Sequence, residues 1–114
     1  MKQLRTIAAV AAIGAAVGVA GPALAAKPVT VSVSTTSGLK FTGMPSSLKA
    51  GTYTFKYTNS SGMGHNLKVG TVSTPTFTKG TKSITVTLKK GTVKYLCTVP
   101  GHAAAGMKGS ITVK

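Results

Sequence analysis

The chain has 114 residues with fourteen Lys or Arg, no Asp and no Glu, so its formal net charge is +14 at pH 7. Without side-chain carboxylates it cannot build a two-carboxylate glycosidase site, an EF-hand calcium loop or a catalytic triad that needs Asp. It cannot form side-chain salt bridges either, so its lysines repel one another. The surface is therefore either a solvated basic one or one that attracts anionic partners.

The first 25 residues have the pattern of an export signal. A basic start at residues 1–5 precedes an uncharged run of Ala, Val, Ile and Gly. This run is shorter than the roughly 20 apolar residues that cross a bilayer, and Ala23-Leu24-Ala25 has the small-residue spacing of a cleavage site. We therefore predict a Sec-type signal peptide over residues 1–25, a mature domain over residues 26–114 without a transmembrane segment, and a periplasmic or extracellular location.

The predicted mature chain is one small domain. Removal of residues 1–25 leaves 89 residues, which is enough for a thin core. Small exported domains often add disulfides, but Cys97 is the only cysteine and can form no intrachain bridge. A single exported cysteine is a hazard, a dimer link or a ligand.

From residue 27 onward, apolar and polar residues alternate with the period of a β-strand. The alternating runs are residues 29–33, 39–41, 53–57, 65–69, 84–88, 93–97 and 111–113. Turn residues separate these runs, so the sequence predicts an all-β fold of about seven short strands, either a sandwich or a barrel. Tyr53, Phe55 and Tyr57 are expected to present one aromatic face to the core.

One stretch near the end of the chain concentrates soft metal donors. Cys97, His102 and Met107 follow the spacing C-x4-H-x4-M, and the other histidine, His65, begins a predicted strand. Cys97 has the core-facing phase of its strand, so one short loop can bring three donors around a point. Two imidazoles, a thiolate and a weak thioether are the donors of a blue-copper electron-transfer site, whereas calcium and magnesium prefer oxygen. The sequence therefore predicts a copper site at one end of the β fold.

Asn66 directly follows His65 in the sequence. Its amide either lies on the surface or reaches the ligand loop and hydrogen-bonds the backbone near Cys97. Bonds of the second kind hold ligands in orientation. The sequence alone leaves both positions open.

Other functions use the same residues. The main alternative is an extracytoplasmic copper carrier or storage protein without redox traffic, because Met63 and Met44 offer further thioethers to Cu(I). Zinc also accepts two imidazoles and a thiolate but binds such donors more weakly than copper does. An enzyme that uses Cys97, His102 and Asn66 would have little room for a substrate cleft. A nucleic-acid or polyanion binder usually adds Arg or stacking aromatics. We therefore expect neither an enzyme nor a specific nucleic-acid partner.

Three segments resemble the cupredoxins, the plastocyanin and azurin family: Gly64-His65-Asn66, residues 95–102 (YLCTVPGH) and residues 106–111 (GMKGSI). The donor spacing is most similar to that of auracyanin and rusticyanin. The resemblance implies a Greek-key β-sandwich of about seven to eight strands. It also implies one type 1 copper ion bound by His65, Cys97 and His102, with Met107 as the long axial ligand and Asn66 as a brace for the ligand loop.

The resemblance further implies a carrier of single electrons that exchanges them through the solvent-facing edge of His102. The chain departs from many family members in charge, because it has no acidic residue with which to form an acidic docking patch. We expect redox protein partners with acidic surfaces, an attraction to an anionic cell envelope, and a monomer.

Overall fold

The computed structural model describes residues 28–114, which form eight strands. They are β1 (Val29–Thr35), β2 (Ser47–Leu48), β3 (Gly51–Asn59), β4 (Lys68–Val69), β5 (Val72–Ser73), β6 (Gly80–Leu88), β7 (Gly91–Leu96) and β8 (Lys108–Val113). The predicted signal peptide lies outside the described residues. Within residues 28–114, no helix is long and apolar enough to cross a membrane.

The strands form two sheets, and the chain passes repeatedly from one to the other. One sheet has the order β2-β8-β7-β4-β5, and the second has the order β1-β3-β6. Strands β1 and β3 run parallel, as do β2 and β8, while the other pairs are antiparallel. The prediction of an all-β sandwich of seven to eight strands is confirmed.

The core lies between the sheets and follows the alternation of the sequence. In β3, the side chains of Tyr53, Phe55 and Tyr57 are buried while Lys56 between them is exposed. Side chains that alternate in this way bury one face of a sheet and leave the other in water. Tyr57 is the largest fully buried side chain, and its hydroxyl donates to Thr35 Oγ1 at 2.7 Å. The bond removes the cost of an unpaired hydroxyl in the core.

Two predicted strands are shorter or absent in the structure. Residues 39–41 are not a strand, and the nearest pairing is an isolated bridge between Ser34 and Thr42. The strand expected over residues 65–69 begins only at Lys68, because His65 pairs instead with Phe77 in an isolated bridge. Alternation marks which side chains are buried but not how far a ladder of hydrogen bonds extends.

The outer face of the three-stranded sheet is held by hydroxyl pairs in place of ion pairs. Threonines on β3 and β6 meet across the strands with Oγ1 atoms 3.0 to 3.3 Å apart. The pairs are Thr52 with Thr87, Thr54 with Thr85, and Thr58 with Thr81. Such cross-strand pairs stabilise a sheet without opposite charges, which this chain cannot supply.

Gly109 should be indispensable to the packing of β8. It lies opposite Tyr95, and a Cβ at this position would meet Tyr95 Cε2 at 2.8 Å, with other ring atoms closer still. We expect Gly109→Ala to lower the free energy of unfolding by roughly 1 to 3 kcal/mol through overpacking. Urea unfolding measures the loss. Tyr95→Ala removes the clash, so an equally large effect of Gly109→Ala in that background would contradict the steric explanation.

Candidate metal centre

The loop between β7 and β8 is folded by its own backbone. Cys97 follows the last residue of β7, and its N–H donates to the carbonyl of Met107 at 3.0 Å, which closes the loop at its neck. Inside the loop, the N–H of Met107 donates to the carbonyl of His102 at 3.0 Å. Gly101 and Gly106 have φ of 84° and 118°, values that L side chains rarely adopt. Three predicted donors are therefore fixed by a short, tightly turned segment.

His65 approaches the same point from a different part of the sandwich. Its N–H donates to the carbonyl of Phe77 at 3.1 Å, and the N–H of Phe77 donates back at 3.0 Å. The imidazole is fully buried, and its Nε2 has no hydrogen-bond partner among the described residues. Its Nδ1 faces the loop that carries Cys97 and His102.

The ring nitrogens and the sulfur converge. The two Nδ1 atoms of His65 and His102 lie 3.1 Å apart, and Cys97 Sγ is 4.0 Å from the first and 3.5 Å from the second. All three donor atoms lie within 4.8 Å of one another. One ion with bonds of about 2.0 to 2.3 Å to nitrogen and sulfur fits among donors at such separations. The arrangement is that of a three-donor metal site with soft and borderline ligands.

Burial differs among the predicted site residues. Cys97, His65 and Met107 are fully buried, whereas His102 is only half-buried and reaches the surface. Met107 is tied to Cys97 through the backbone bond at the loop neck. The structure therefore shields the sulfur atoms from water and leaves one imidazole edge near solvent.

Asn66 joins the two parts of the site. Its Oδ1 accepts from the N–H of Thr98 at 2.7 Å, and its Nδ2 donates to Thr98 Oγ1 at 2.8 Å. Because Thr98 follows Cys97, the amide fixes the peptide next to the thiol against the segment that carries His65. Of the two positions left open by the sequence, the structure has the one that reaches the ligand loop.

Sequence reasoning missed Asn59, which is fully buried at the end of β3. Its Nδ2 donates to the carbonyls of Met63 and Phe77 at 2.8 and 2.7 Å, and its Oδ1 accepts from the N–H of Ser61 at 3.0 Å. The carbonyl of Phe77 is the one that accepts from His65, so Asn59 supports the bridge that positions this histidine. An Asn before a Ser-Gly turn indicates the local Asx turn. The bond to Phe77 has no such local signal.

The pKa of His65 is lowered, first by burial of the ring and second by repulsion from His102. Desolvation disfavours the charged imidazolium. The neutral ring is the form that binds a metal, so the lowered pKa reduces competition from protons at mildly acidic pH.

The fold and the site together define a small β-sandwich metalloprotein with a site of two histidines and one cysteine. The sequence model for "copper binding proteins, plastocyanin/azurin family" matches residues 27–114, and the chain belongs to this family. Its cofactor is copper, and His65, Cys97 and His102 are positioned to hold one ion.

Solved structures of similar fold include auracyanin A, described as a "blue" copper protein, and the copper protein rusticyanin. Auracyanin B matches with a TM-score of 0.67 and 26% identity over 78% of this chain and 91% of its own. Reduced rusticyanin matches with a TM-score of 0.62 and 25% identity over 79% of this chain and 81% of its own. Auracyanin from Roseiflexus castenholzii shares the fold at 21% identity, with a TM-score of 0.66 over 78% and 99% of the two chains. No curated protein sequence matches the chain.

Replacing Asn59 tests its support of the site. Asn59→Ala removes the amide that donates to the carbonyls of Met63 and Phe77 and accepts from the N–H of Ser61. We therefore expect the free energy of unfolding to fall by roughly 1 to 3 kcal/mol and copper affinity to fall with it. Ser61→Ala, which removes a hydroxyl at the same turn, is the matched control and should have a smaller effect. Urea unfolding and competition with a copper chelator give the two quantities. Equal effects of the two substitutions would refute the assigned role.

Acid stability of the copper-free protein should depend on His65. Its pKa is lowered on folding, so below its ordinary value of 6.5 the unfolded chain takes up a proton that the folded chain resists. Stability is then complete above about pH 6.5 and decreases as the pH falls below it, by up to about 1.4 kcal/mol per pH unit. Urea unfolding between pH 8 and 4 measures this slope. The slope should be smaller in His65→Gln, and an unchanged slope would contradict the assignment.

Proposed function

We propose that this protein is a type 1 copper protein that carries single electrons between redox partners outside the cytoplasm. In this proposal His65, Cys97 and His102 hold the copper ion, and Met107 is the weak axial ligand. Bound copper supplies the one-electron couple between Cu(I) and Cu(II). The convergence of the three donor atoms within 4.8 Å is the observation that carries the proposal.

The surrounding structure suits electron transfer because it limits movement of the donors. Backbone bonds close the ligand loop at Cys97 and Met107, and the side chain of Asn66 joins the loop to the other part of the site. Donors that are held by such bonds keep one arrangement when the charge at the centre changes. The buried cysteine is shielded from water, and the half-buried ring of His102 offers a short route to a partner.

The same features speak against an enzyme. Cys97 is fully buried, so its sulfur is not exposed to a substrate, and its near neighbours are the two imidazoles. We also propose that residues 1–25 are removed as a Sec-type signal and that residues 26–114 act as a monomer in the periplasm or outside the cell. The acid-free composition supports redox partners with acidic surfaces and an attraction to an anionic envelope.

A copper carrier or store is the second candidate, and one observation favours it. Met63 lies two residues before His65 and is 49% exposed, so its thioether is open to Cu(I) from solution. A carrier of this kind would hold only Cu(I) and remain colourless. The electron carrier would be coloured in its oxidised form.

The visible spectrum of the copper-loaded protein tests the proposal. Oxidised protein should be intensely blue because the thiolate of Cys97 donates to Cu(II), and Cys97→Ser should abolish the colour. Met107→Leu should retain copper but shift the reduction potential, since the axial ligand tunes it. Met63→Leu is the matched control and should leave both the colour and the potential unchanged. An unaltered spectrum of Cys97→Ser would refute the site.

A further inference from the structure

We propose that the outer face of β7 and β8, beside the ligand loop, docks the carboxylate-rich surface of a redox partner protein. This inference rests on the proposed function, because it names the place and the chemistry of the partner contact. It concerns a face of the sandwich different from the exposed edge of His102.

A groove of about 400 Å³ lies on this face. Both basic and apolar residues line it. The lining includes Lys94, Tyr95, Leu96, Ala103, Lys108 and Ser110. Leu96 directly precedes Cys97 in the sequence, and Ala103 directly follows His102. Two residues that line the groove are therefore each one peptide bond from a residue of the metal centre.

The strand register concentrates lysines around Leu96. In β4, Lys68 lies directly opposite Leu96, and in β8, Lys108 lies opposite it on the other side. Directly opposite residues project from the same face of a sheet, and two strand spacings separate the flanking lysines by about 10 Å. Lys94 precedes Leu96 by two residues in β7, so it projects from the same face, and it lies opposite Ser110. The register therefore places three lysines next to one leucine on the same face of the sheet.

No side chain of this protein can neutralise the cluster, because the sequence contains no Asp and no Glu. The three ammonium groups repel one another in the free protein, at separations comparable to the Debye length of about 10 Å at 0.1 M salt. An anionic partner both relieves this repulsion and is steered toward the groove.

The composition of the groove favours a protein partner over nucleic acid or lipid. Leu96 and Ala103 provide apolar surface beside the polar groups of Lys94, Lys108 and Ser110, and an apolar centre with a polar rim is the usual anatomy of a protein interface. Among the described residues that line the groove, Tyr95 is the one aromatic residue and none is an arginine, whereas nucleic acids commonly contact arginines and rows of stacked aromatic rings. These features together favour a carboxylate-rich protein as the partner.

A hexaglutamate peptide serves as the probe of the binding step. Added to the copper-loaded, reduced protein at low salt, it should shift the amide NMR signals of Lys94, Leu96, Lys108 and Ser110 in particular. The double variant K94E/K108E should weaken the affinity roughly tenfold or more, as reversal of steering charges does. The control K56E/K89E makes the same change in net charge away from the groove, because Lys56 lies in β3 of the other sheet and Lys89 in the turn between β6 and β7. It should weaken the affinity for hexaglutamate much less. The neutral pair K94Q/K108Q replaces K94E/K108E if charge reversal prevents folding.

Electron exchange gives the second measurement. Hexacyanoferrate(III), a trivalent anion, takes one electron from the reduced protein and becomes hexacyanoferrate(II). The rate of this oxidation should fall about tenfold in K94E/K108E at low salt and far less in K56E/K89E. The difference in rate between the two variants should shrink as salt is added. A cationic oxidant, tris(phenanthroline)cobalt(III), should not be slowed by K94E/K108E.

The outcomes separate this inference from the proposed function. Equal effects of the two double variants would overturn the docking surface, because net charge alone would then explain them. Preferential binding of phosphatidylglycerol vesicles or oligothymidylate over hexaglutamate at this face would overturn the acidic-protein partner. A protein that exchanges no electrons but still binds hexaglutamate at the groove would refute the electron carrier and leave the carboxylate site standing. A normal blue spectrum in K94E/K108E shows that the metal centre is intact.

Discussion

The structure depends on holding two distant segments of backbone together without using charge. His65 and Cys97 are 32 residues apart, and their side chains must meet inside a domain that has no carboxylate to pair with a cation. Hydrogen bonds from neutral side-chain amides hold the two segments together. Asn59 fixes the bridge that carries His65, and Asn66 fixes the peptide that follows Cys97. Because these bonds are short and largely buried, they are strong relative to bonds exposed to water.

This arrangement explains how a thin core can support a rigid centre. The aromatic face of β3 packs between the sheets, and Tyr57 meets Phe41 and Phe77 edge to face at ring-centroid distances of 5.4 and 5.5 Å. Phe77 is also the backbone partner of His65, so packing of the core and placement of the imidazole are linked through one residue. The metal centre is therefore an extension of the core, and a defect in either should weaken both.

The absence of acidic residues has different consequences in the interior of the sandwich and on its surface. Inside the sandwich it has little effect, because the hydroxyl bond from Tyr57 to Thr35 and the amides of Asn59 and Asn66 supply the polar contacts. On the surface it leaves every lysine without an internal counterion, and the strand register then gathers Lys68, Lys94 and Lys108 around Leu96. A scattered charge in the sequence becomes a localised one next to the metal loop. Membership of the plastocyanin/azurin family fixes the copper chemistry, while this surface is a property of the particular chain.

The amino-acid sequence was enough to predict the class of fold and the types of metal donor. Period-two alternation assigned the buried faces of β3 and β6, and the spacing of Cys97, His102 and Met107 pointed to copper, because both signals are local. Contacts between residues far apart in the sequence became visible only in the folded chain. His65 pairs with Phe77 instead of beginning a strand, and Asn59 donates to the carbonyl of Phe77. Three lysines become neighbours across β4, β7 and β8. Strands β4 and β7 are far apart in the sequence, so their register depends on which faces the folded sheets bury, and no short window of sequence contains it.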